Sequence, residues 1–216
     1  MALDNEHNIS VGKSHYQDSS FRQLTGKAEY IDDMPLTENA LHGALILSAI
    51  PSGKIVSINT KKAKELDPSI KIITAKDIPG KNDIAPIFED EPIFAEKIVT
   101  YVGQPIGLIV ASSMERARAA VKEVEIVYKK DKDPILDLEF AFKKKSFFLK
   151  PIHFERGNAR EHIKKSSYQL EGSFSMGGQD HFYLETHIAL AIPHENSEFT
   201  IWSSTQHPTE VQHGVS

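Results

Sequence analysis

The chain has 216 residues, of which 40% are apolar and 25% charged, so its composition is that of a folded protein with one large domain or two smaller ones. Its formal net charge of -5 gives no reason to expect a nucleic-acid partner. It contains no cysteine, which excludes thiolate-ligated zinc, iron–sulfur ligation and a cysteine nucleophile on this chain.

No window of the sequence approaches the roughly 18 uninterrupted apolar residues that a membrane span needs. The N-terminus is polar and lacks the apolar region of a signal peptide. The sequence therefore predicts a cytoplasmic protein without a membrane partner.

The N-terminal half begins with a polar, aperiodic stretch, residues 1–20, which is predicted to be a flexible arm. The aliphatic segment Ala40–Ala49 predicts a strand, and a Pro-Ser-Gly-Lys turn leads to an alternating strand over Ile55–Thr60. A short helix over Lys61–Leu66 and another strand over Ile70–Thr74 follow.

The middle of the chain has the pattern of a strand, a helix and a second strand. After an irregular, acidic crossing over Asn82–Ile98, the segment Ile106–Ala111 predicts a buried strand. Ser112 or Ser113 can then cap a helix, and Val124–Tyr128 alternates as the next strand. This spacing is typical of a β-α-β unit, so residues 20–130 are predicted to form one small α/β domain.

The C-terminal third is predicted to begin after a connector over Asp131–Pro151 and a short helix ending near Ile163–Ser167. A helix is predicted to start at Pro208, since proline suits the first helical position. Alternating or apolar patterns predict strands between these helices, at Tyr168–Ser175, Asp180–Ile192 and Phe199–Ser203. Such a set of elements buries too little surface to be stable alone, so the sequence predicts the opening of a second, truncated domain.

Several polar residues lie inside the apolar stretch MGGQDHFYLETHIALAIP that runs from Met176 to Pro193. On a strand, alternate residues share a face, here Gln179, His181, Tyr183, Glu185 and His187. One interpretation is a half-exposed antiparallel strand whose polar face is exposed to solvent. A metal site is the alternative, but His181 and His187 would lie about 20 Å apart along a strand and could not bind one ion without a bend.

Gly177 and Gly178 precede Gln179 and have two interpretations. Paired glycines allow a backbone to approach a ligand or a neighbour closely, which would hold the Gln179 amide at a crowded position. The other interpretation is a β-bulge. The sequence contains no G-x-S-x-G nucleophile elbow and no glycine-rich phosphate loop, so acyl transfer by a serine triad and nucleotide binding are not indicated.

The segment GGQDHFYLET, Gly177–Thr186, resembles the start of the molybdenum-cofactor domain of the molybdenum hydroxylases, nearest the xanthine dehydrogenase branch, where Glu more often stands at Asp180. The final SSTQHPTEVQHGVS is similar to the same region of the bacterial, separately encoded molybdopterin-binding subunit. LTGKAEYIDD, Leu24–Asp33, and YVGQPIGLIVASS, Tyr101–Ser113, resemble the preceding α/β hammerhead domain.

This resemblance implies an α/β (α+β) fold with an N-terminal arm at 1–20, a hammerhead domain at 21–145 and a truncated molybdopterin-binding domain at 146–216. It implies hydroxylation of a purine such as hypoxanthine or xanthine at a molybdenum centre. Gln179 matches the glutamine that hydrogen-bonds an oxygen ligand of molybdenum, and Gly178 would contact the cofactor with it. No residue of the chain is expected to ligate the metal directly, and the substrate and base residues are expected beyond Ser216.

The resemblance also implies partners. The [2Fe–2S] clusters and FAD that accept the electrons are expected on other domains or subunits, together with the rest of the molybdopterin domain. A homodimer is one expected assembly, and the chain alone is expected to be inactive. The alternatives are a hydroxylase of aldehydes or other N-heterocycles, and a non-catalytic scaffold or interaction module.

Overall fold

The computed structural model describes residues 11–85 and 87–216, so the first half of the predicted arm lies outside the described residues. The chain separates into two compact units. One comprises Glu38–Gln179, and the other combines the residues up to Thr37 with Asp180–Ser216. The predicted domain boundaries stay predictions.

The unit Glu38–Gln179 contains two antiparallel sheets of three strands each. The first sheet has the order β1-β5-β3, formed by His42–Leu47, Pro105–Ala111 and Lys71–Thr74. The second has the order β4-β2-β6, formed by Ile98–Val99, Gly53–Asn59 and Glu125–Lys130. The predicted strands of this region are thus confirmed, with their ends shifted by one or two residues.

The predicted β-α-β unit is wrong, because its two strands lie in different sheets. β5 is the centre of the first sheet and pairs antiparallel with β1 and β3, while β6 pairs antiparallel with β2. A strand, a helix and a strand in sequence do not specify whether the second strand returns to the same sheet. Here long-range pairing with β2 decides the outcome.

One helix covers the first sheet, and a second helix packs against the first helix. The helix α2, Lys61–Leu66, has the predicted bounds, and α3, Met114–Lys122, begins after Ser113, whose side chain accepts a hydrogen bond from the Arg116 amide at 3.3 Å. α3 packs on β1 and β5 and against α2. Small residues on its inner face, Ala117 and Ala120, allow this close packing.

The core of the unit joins both sheets to the two helices. Its buried members include Ile46 of β1, Val99 of β4 and Ile106 and Ile109 of β5, with Tyr128 of β6 packed against them. Across the described residues, all fully buried apolar side chains lie between Ile46 and Ala120. Stability is therefore concentrated in this part of the chain.

Two buried polar side chains hold loops against this core. Gln104 accepts a hydrogen bond from the Thr100 amide at 2.8 Å and shapes the turn in which Gly103 adopts a positive φ of 87°. Asp67 accepts from the Ser69 amide and hydroxyl and from the Arg116 guanidinium at 3.1 Å. The bonds from Ser69, followed by Arg116, hold the pKa of Asp67 below its usual value.

The later part of the unit is mostly exposed to solvent. α4 spans Leu138–Lys143 and α5 spans Ala159–Lys165, which confirms the short predicted helix. The predicted strand over Tyr168–Ser175 is wrong, since these residues are irregular and exposed. An alternating pattern stabilises a strand only when another strand pairs with it, and no described strand lies beside this segment.

The second unit contains a two-stranded antiparallel sheet formed by β7, Ala189–Pro193, and β8, Phe199–Ser203. The helix α6, Pro208–Val215, starts with proline at its first position, as predicted. The N-terminal part of this unit holds α1, Ser20–Thr25, and a 3-10 helix over Ile31–Asp33. In the part of the chain that the structure describes, every helix is too short or too polar to cross a membrane.

Candidate functional site

Gln179 lies in an exposed, irregular segment and not on the predicted strand. The strand expected over Asp180–Ile192 is confirmed only from Ala189 onward. The Gln179 amide donates a hydrogen bond from Nε2 to the Met176 sulfur at 3.3 Å. Because a thioether is a weak acceptor, this amide can be redirected to an oxygen acceptor at little cost.

The two glycines before Gln179 do not meet a crowded backbone. A Cβ atom built on Gly177 or on Gly178 would find no heavy atom within 4 Å, so the crowding expected at this position is not present among the described residues. The β-bulge interpretation is also wrong, since no strand passes through these residues. The glycines leave open space along the backbone beside Gln179.

A bend follows Gln179 and replaces the predicted strand face. Asp180 accepts a hydrogen bond from the Phe182 amide at 3.1 Å, and Phe182 has a positive φ of 49°. Tyr183 and His187 share a hydrogen bond, and their ring centroids are 5.2 Å apart. Residues four apart on a strand would be separated by about 13 Å, so the segment is bent. The predicted row of Gln179, His181, Tyr183, Glu185 and His187 on one strand face is therefore wrong.

Glu185 has a contact that the sequence pattern does not indicate. Its Oε1 accepts a hydrogen bond of 3.0 Å from the backbone amide of Ile31, which lies 154 residues earlier in the same unit. Both residues are half-buried. No local signal could reveal this pairing, because it joins the Leu24–Asp33 motif to the Gly177–Thr186 motif across most of the chain.

Two side-chain hydrogen bonds hold the Tyr30–Asp33 segment in place. Asp33 accepts from the Tyr30 amide at 2.9 Å, which caps the start of the 3-10 helix. The Tyr30 hydroxyl donates to the Gln23 carboxamide oxygen at 3.1 Å. Glu185 therefore binds to a segment that already has a defined local structure.

The described residues do not bring together a protein-ligated metal centre. Within residues 11–85 and 87–216, no three histidine, aspartate or glutamate side chains gather closely enough to hold an ion. An apolar groove of about 660 Å³ lies beside α4, where Phe142, Phe147 and Phe148 line it, but Gln179 does not. Gln179 is thus not part of that groove.

Comparison with known proteins identifies both parts of the chain. Residues 25–132 match the family model for the a/b hammerhead domain of aldehyde oxidase and xanthine dehydrogenase. Residues 141–216 match the molybdopterin cofactor-binding domain.

Two curated relatives show the extent of the sequence similarity. The chain is 39% identical over 204 residues to a xanthine dehydrogenase of Calliphora vicina and 40% identical over 208 residues to a nicotinate hydroxylase of Emericella nidulans. Each alignment covers 94% of this chain and 15% of the relative, so the chain spans about 15% of the length of the curated relatives it matches.

The fold is also that of a solved protein. Quinoline 2-oxidoreductase from Pseudomonas putida 86 superimposes with a TM-score of 0.77 at 24% identity, covering 95% of this chain and 28% of that one. These matches define a hammerhead domain followed by part of a molybdopterin-binding domain, so the fold class expected from the sequence is confirmed. The chain belongs to the aldehyde oxidase and xanthine dehydrogenase family.

The residues around Gln179 fit one contact with a molybdopterin group. They offer an exposed carboxamide whose present partner is a weak acceptor, beside a backbone with open space at Gly177 and Gly178. An amide donor suits an oxygen ligand that carries negative charge. The fit extends to this one contact.

Proposed function

We propose that this chain supplies the hammerhead domain and the first part of the cofactor domain of a xanthine-oxidising molybdenum hydroxylase. The observation that carries the proposal is the 39% identity to a xanthine dehydrogenase over 94% of the chain, which includes the Gly177–Thr186 motif. Most of such an enzyme lies outside the matched region, so the activity belongs to the complete protein and its partners.

In this proposal Gln179 donates a hydrogen bond from its carboxamide to an oxygen of the bound cofactor, and Gly178 lets the backbone approach the cofactor. The cofactor supplies two-electron oxidation coupled to hydroxylation of an electron-poor carbon. The chain contributes orientation and a hydrogen-bond donor in a place where charge develops.

The remaining expectations stay proposals. They are iron–sulfur and FAD domains or subunits as electron acceptors, assembly with the rest of the molybdopterin domain, a homodimer, a role in purine catabolism, a bacterial source and a cytoplasmic location. The absence of cysteine from the chain agrees with clusters bound elsewhere.

The experiment is to purify the full-length gene product with the proteins that copurify with it and to measure molybdenum content and xanthine turnover. Molybdenum together with xanthine-dependent reduction of an electron acceptor supports the proposal. A metal-free product from cells with a verified cofactor supply would refute it and favour a non-catalytic scaffold.

A second candidate is hydroxylation of another N-heterocycle or of an aldehyde. The 40% identity to a nicotinate hydroxylase favours it, because this value equals the similarity to the xanthine dehydrogenase within one percentage point. Turnover of nicotinate or an aldehyde, with no turnover of xanthine, would identify this alternative.

A further inference from the structure

Met176 is the residue that the Gln179 carboxamide contacts in this structure. Gln179 Nε2 donates a hydrogen bond to the Met176 sulfur at 3.3 Å, and the two residues lie three positions apart in the unit Glu38–Gln179. A thioether sulfur is a weak acceptor, so the bond is easily exchanged for a better one. The strength of this contact therefore depends on the chemical state of the Met176 sulfur.

Met176 is also more exposed than the other methionines of the described chain. It is 63% exposed, whereas Met34 and Met114, the other methionines within residues 11–85 and 87–216, are both half-buried. The backbone that follows Met176 is open as well, since a Cβ atom built on Gly177 or Gly178 would meet no heavy atom within 4 Å. An oxidant dissolved in water therefore reaches the Met176 sulfur more easily than the other two.

Oxidation would change this sulfur into a strong hydrogen-bond acceptor. Hydrogen peroxide transfers one oxygen atom to a thioether: an S–O bond forms, the O–O bond breaks and the sulfur loses two electrons. The second peroxide oxygen takes up those electrons and the proton of the transferred hydroxyl, and leaves as water. The product, methionine sulfoxide, is polar and reversible by reductases. Its oxygen is one bond away from the atom that Gln179 Nε2 already contacts.

We propose that Met176 is a site of reversible oxidation by peroxide, and that its sulfoxide binds the Gln179 carboxamide and so withdraws it from the cofactor. The loss of turnover rests on the proposed function, because that function assigns the cofactor contact to Gln179. The oxidation and the new hydrogen bond involve residues of this chain alone. Met176 acts through Gln179 and does not touch the reacting atoms.

Peptide mapping by mass spectrometry tests the site of oxidation and needs no activity. The full-length subunit, with its copurifying partners, is treated with hydrogen peroxide, and the sulfoxide at each methionine is followed over time. Because Met176 is the exposed one, we expect it to be oxidised at least about fivefold faster than Met34 or Met114. Equal rates at the three residues, or slower oxidation of Met176, would overturn the proposed site.

The rate of repair tests the hydrogen bond between the sulfoxide and Gln179, again without activity. Methionine sulfoxide reductases convert the sulfoxide back to the thioether. A sulfoxide bound to the Gln179 amide must first be released, so we expect repair of Met176 to be at least about threefold faster in Gln179→Ala than in the unchanged protein. Sulfoxide at Met114 should be repaired at the same rate in both. Equal repair of Met176 in the two proteins would overturn this bond.

Turnover tests the catalytic consequence. As Met176 is oxidised, we expect kcat to fall about three- to tenfold with less than about a twofold change in KM, and reductase treatment to restore it. Met176→Leu should keep its own untreated kcat in peroxide, and Met114→Leu, the matched control, should lose turnover as the unchanged protein does. Met176→Gln supplies an oxygen acceptor without peroxide and should have a lower kcat than Met176→Leu. The same loss in peroxide for Met176→Leu and the unchanged protein would overturn the role of Met176.

The two hypotheses fail in different ways. If the unchanged protein carries no molybdenum, the proposed function fails. Peptide mapping and the rate of repair then still decide whether Met176 is oxidised selectively and whether its sulfoxide binds Gln179.

Discussion

Gly107 offers a sharp test of how closely the first sheet is packed. It lies in β5, the central strand, opposite Thr74 of β3. A Cβ atom at this position would lie 2.6 Å from the Ile73 carbonyl oxygen, a backbone atom, and 3.5 Å from Ile46 Cδ1. Because the nearest atom belongs to the backbone of β3, a side-chain rotation cannot relieve the contact. Gly107→Ala therefore forces β3 away from β5.

The change in the free energy of unfolding caused by Gly107→Ala has three contributions. Overpacking in a well-packed core costs about 1–3 kcal/mol, and a weakened hydrogen bond between the strands costs about 1 kcal/mol more. Alanine lowers the conformational entropy of the unfolded chain relative to glycine, which offsets about 0.4–1 kcal/mol of this loss. The net loss in the free energy of unfolding is therefore about 1–3.5 kcal/mol, which lowers Tm by roughly 2–14 °C for a chain of this size.

The assay is urea unfolding followed by far-ultraviolet circular dichroism, with Gly172→Ala as the matched control. A Cβ at Gly172 would meet no heavy atom within 4 Å, so this variant should be unchanged or slightly more stable. If Gly107→Ala and Gly172→Ala have the same unfolding midpoint, the close approach of β3 and β5 is refuted.

Three further predictions concern Tyr128, Asp67 and Gln179. The Tyr128 hydroxyl is buried and has no hydrogen-bond partner among the described residues, so Tyr128→Phe should raise the free energy of unfolding by about 1 kcal/mol. A lower free energy of unfolding in urea would contradict this. Since the folded-state pKa of Asp67 is lowered, its contribution to stability should be complete above the usual aspartate pKa of about 3.9 and should decline as pH falls below that value. The unfolding midpoint of Asp67→Asn should therefore vary less with pH over this acidic range. The same pH profile in Asp67→Asn and the unchanged protein would contradict the prediction. Gln179→Ala in the complete subunit should lower turnover while circular dichroism stays unchanged, and equal turnover would remove its assigned role.

The sequence predicts the strands of the first unit well because their signals, alternation or a short apolar run between turn residues, are local. In β5, the buried residues Ile106 and Ile109 lie in a short, continuous apolar run, and turn residues bound the strand. Similarly, Ser113 has the residue type and spacing of a helix cap, and the structure confirms the hydrogen bond to Arg116. These features depend on neighbours within a few positions in the chain.

The strand predicted through Gln179 was wrong for a physical reason. An alternating pattern indicates a strand only if a second strand supplies backbone partners, and the segment before Ala189 has none among the described residues. The apolar side chains there are instead exposed, as Phe174 at 88% and Phe182 at 93% show. The pattern alone cannot report whether a partner is present.

By itself the sequence determined the composition limits, most helices and strands, and the family through the four segments that resemble molybdenum hydroxylases. Only the tertiary structure decided that β5 and β6 lie in different sheets and that Glu185 accepts a hydrogen bond from Ile31. The reason is the range of the interactions. Helix caps, turns and alternation act over a few residues, whereas sheet order and the Glu185 contact depend on residues brought together from distant parts of the chain.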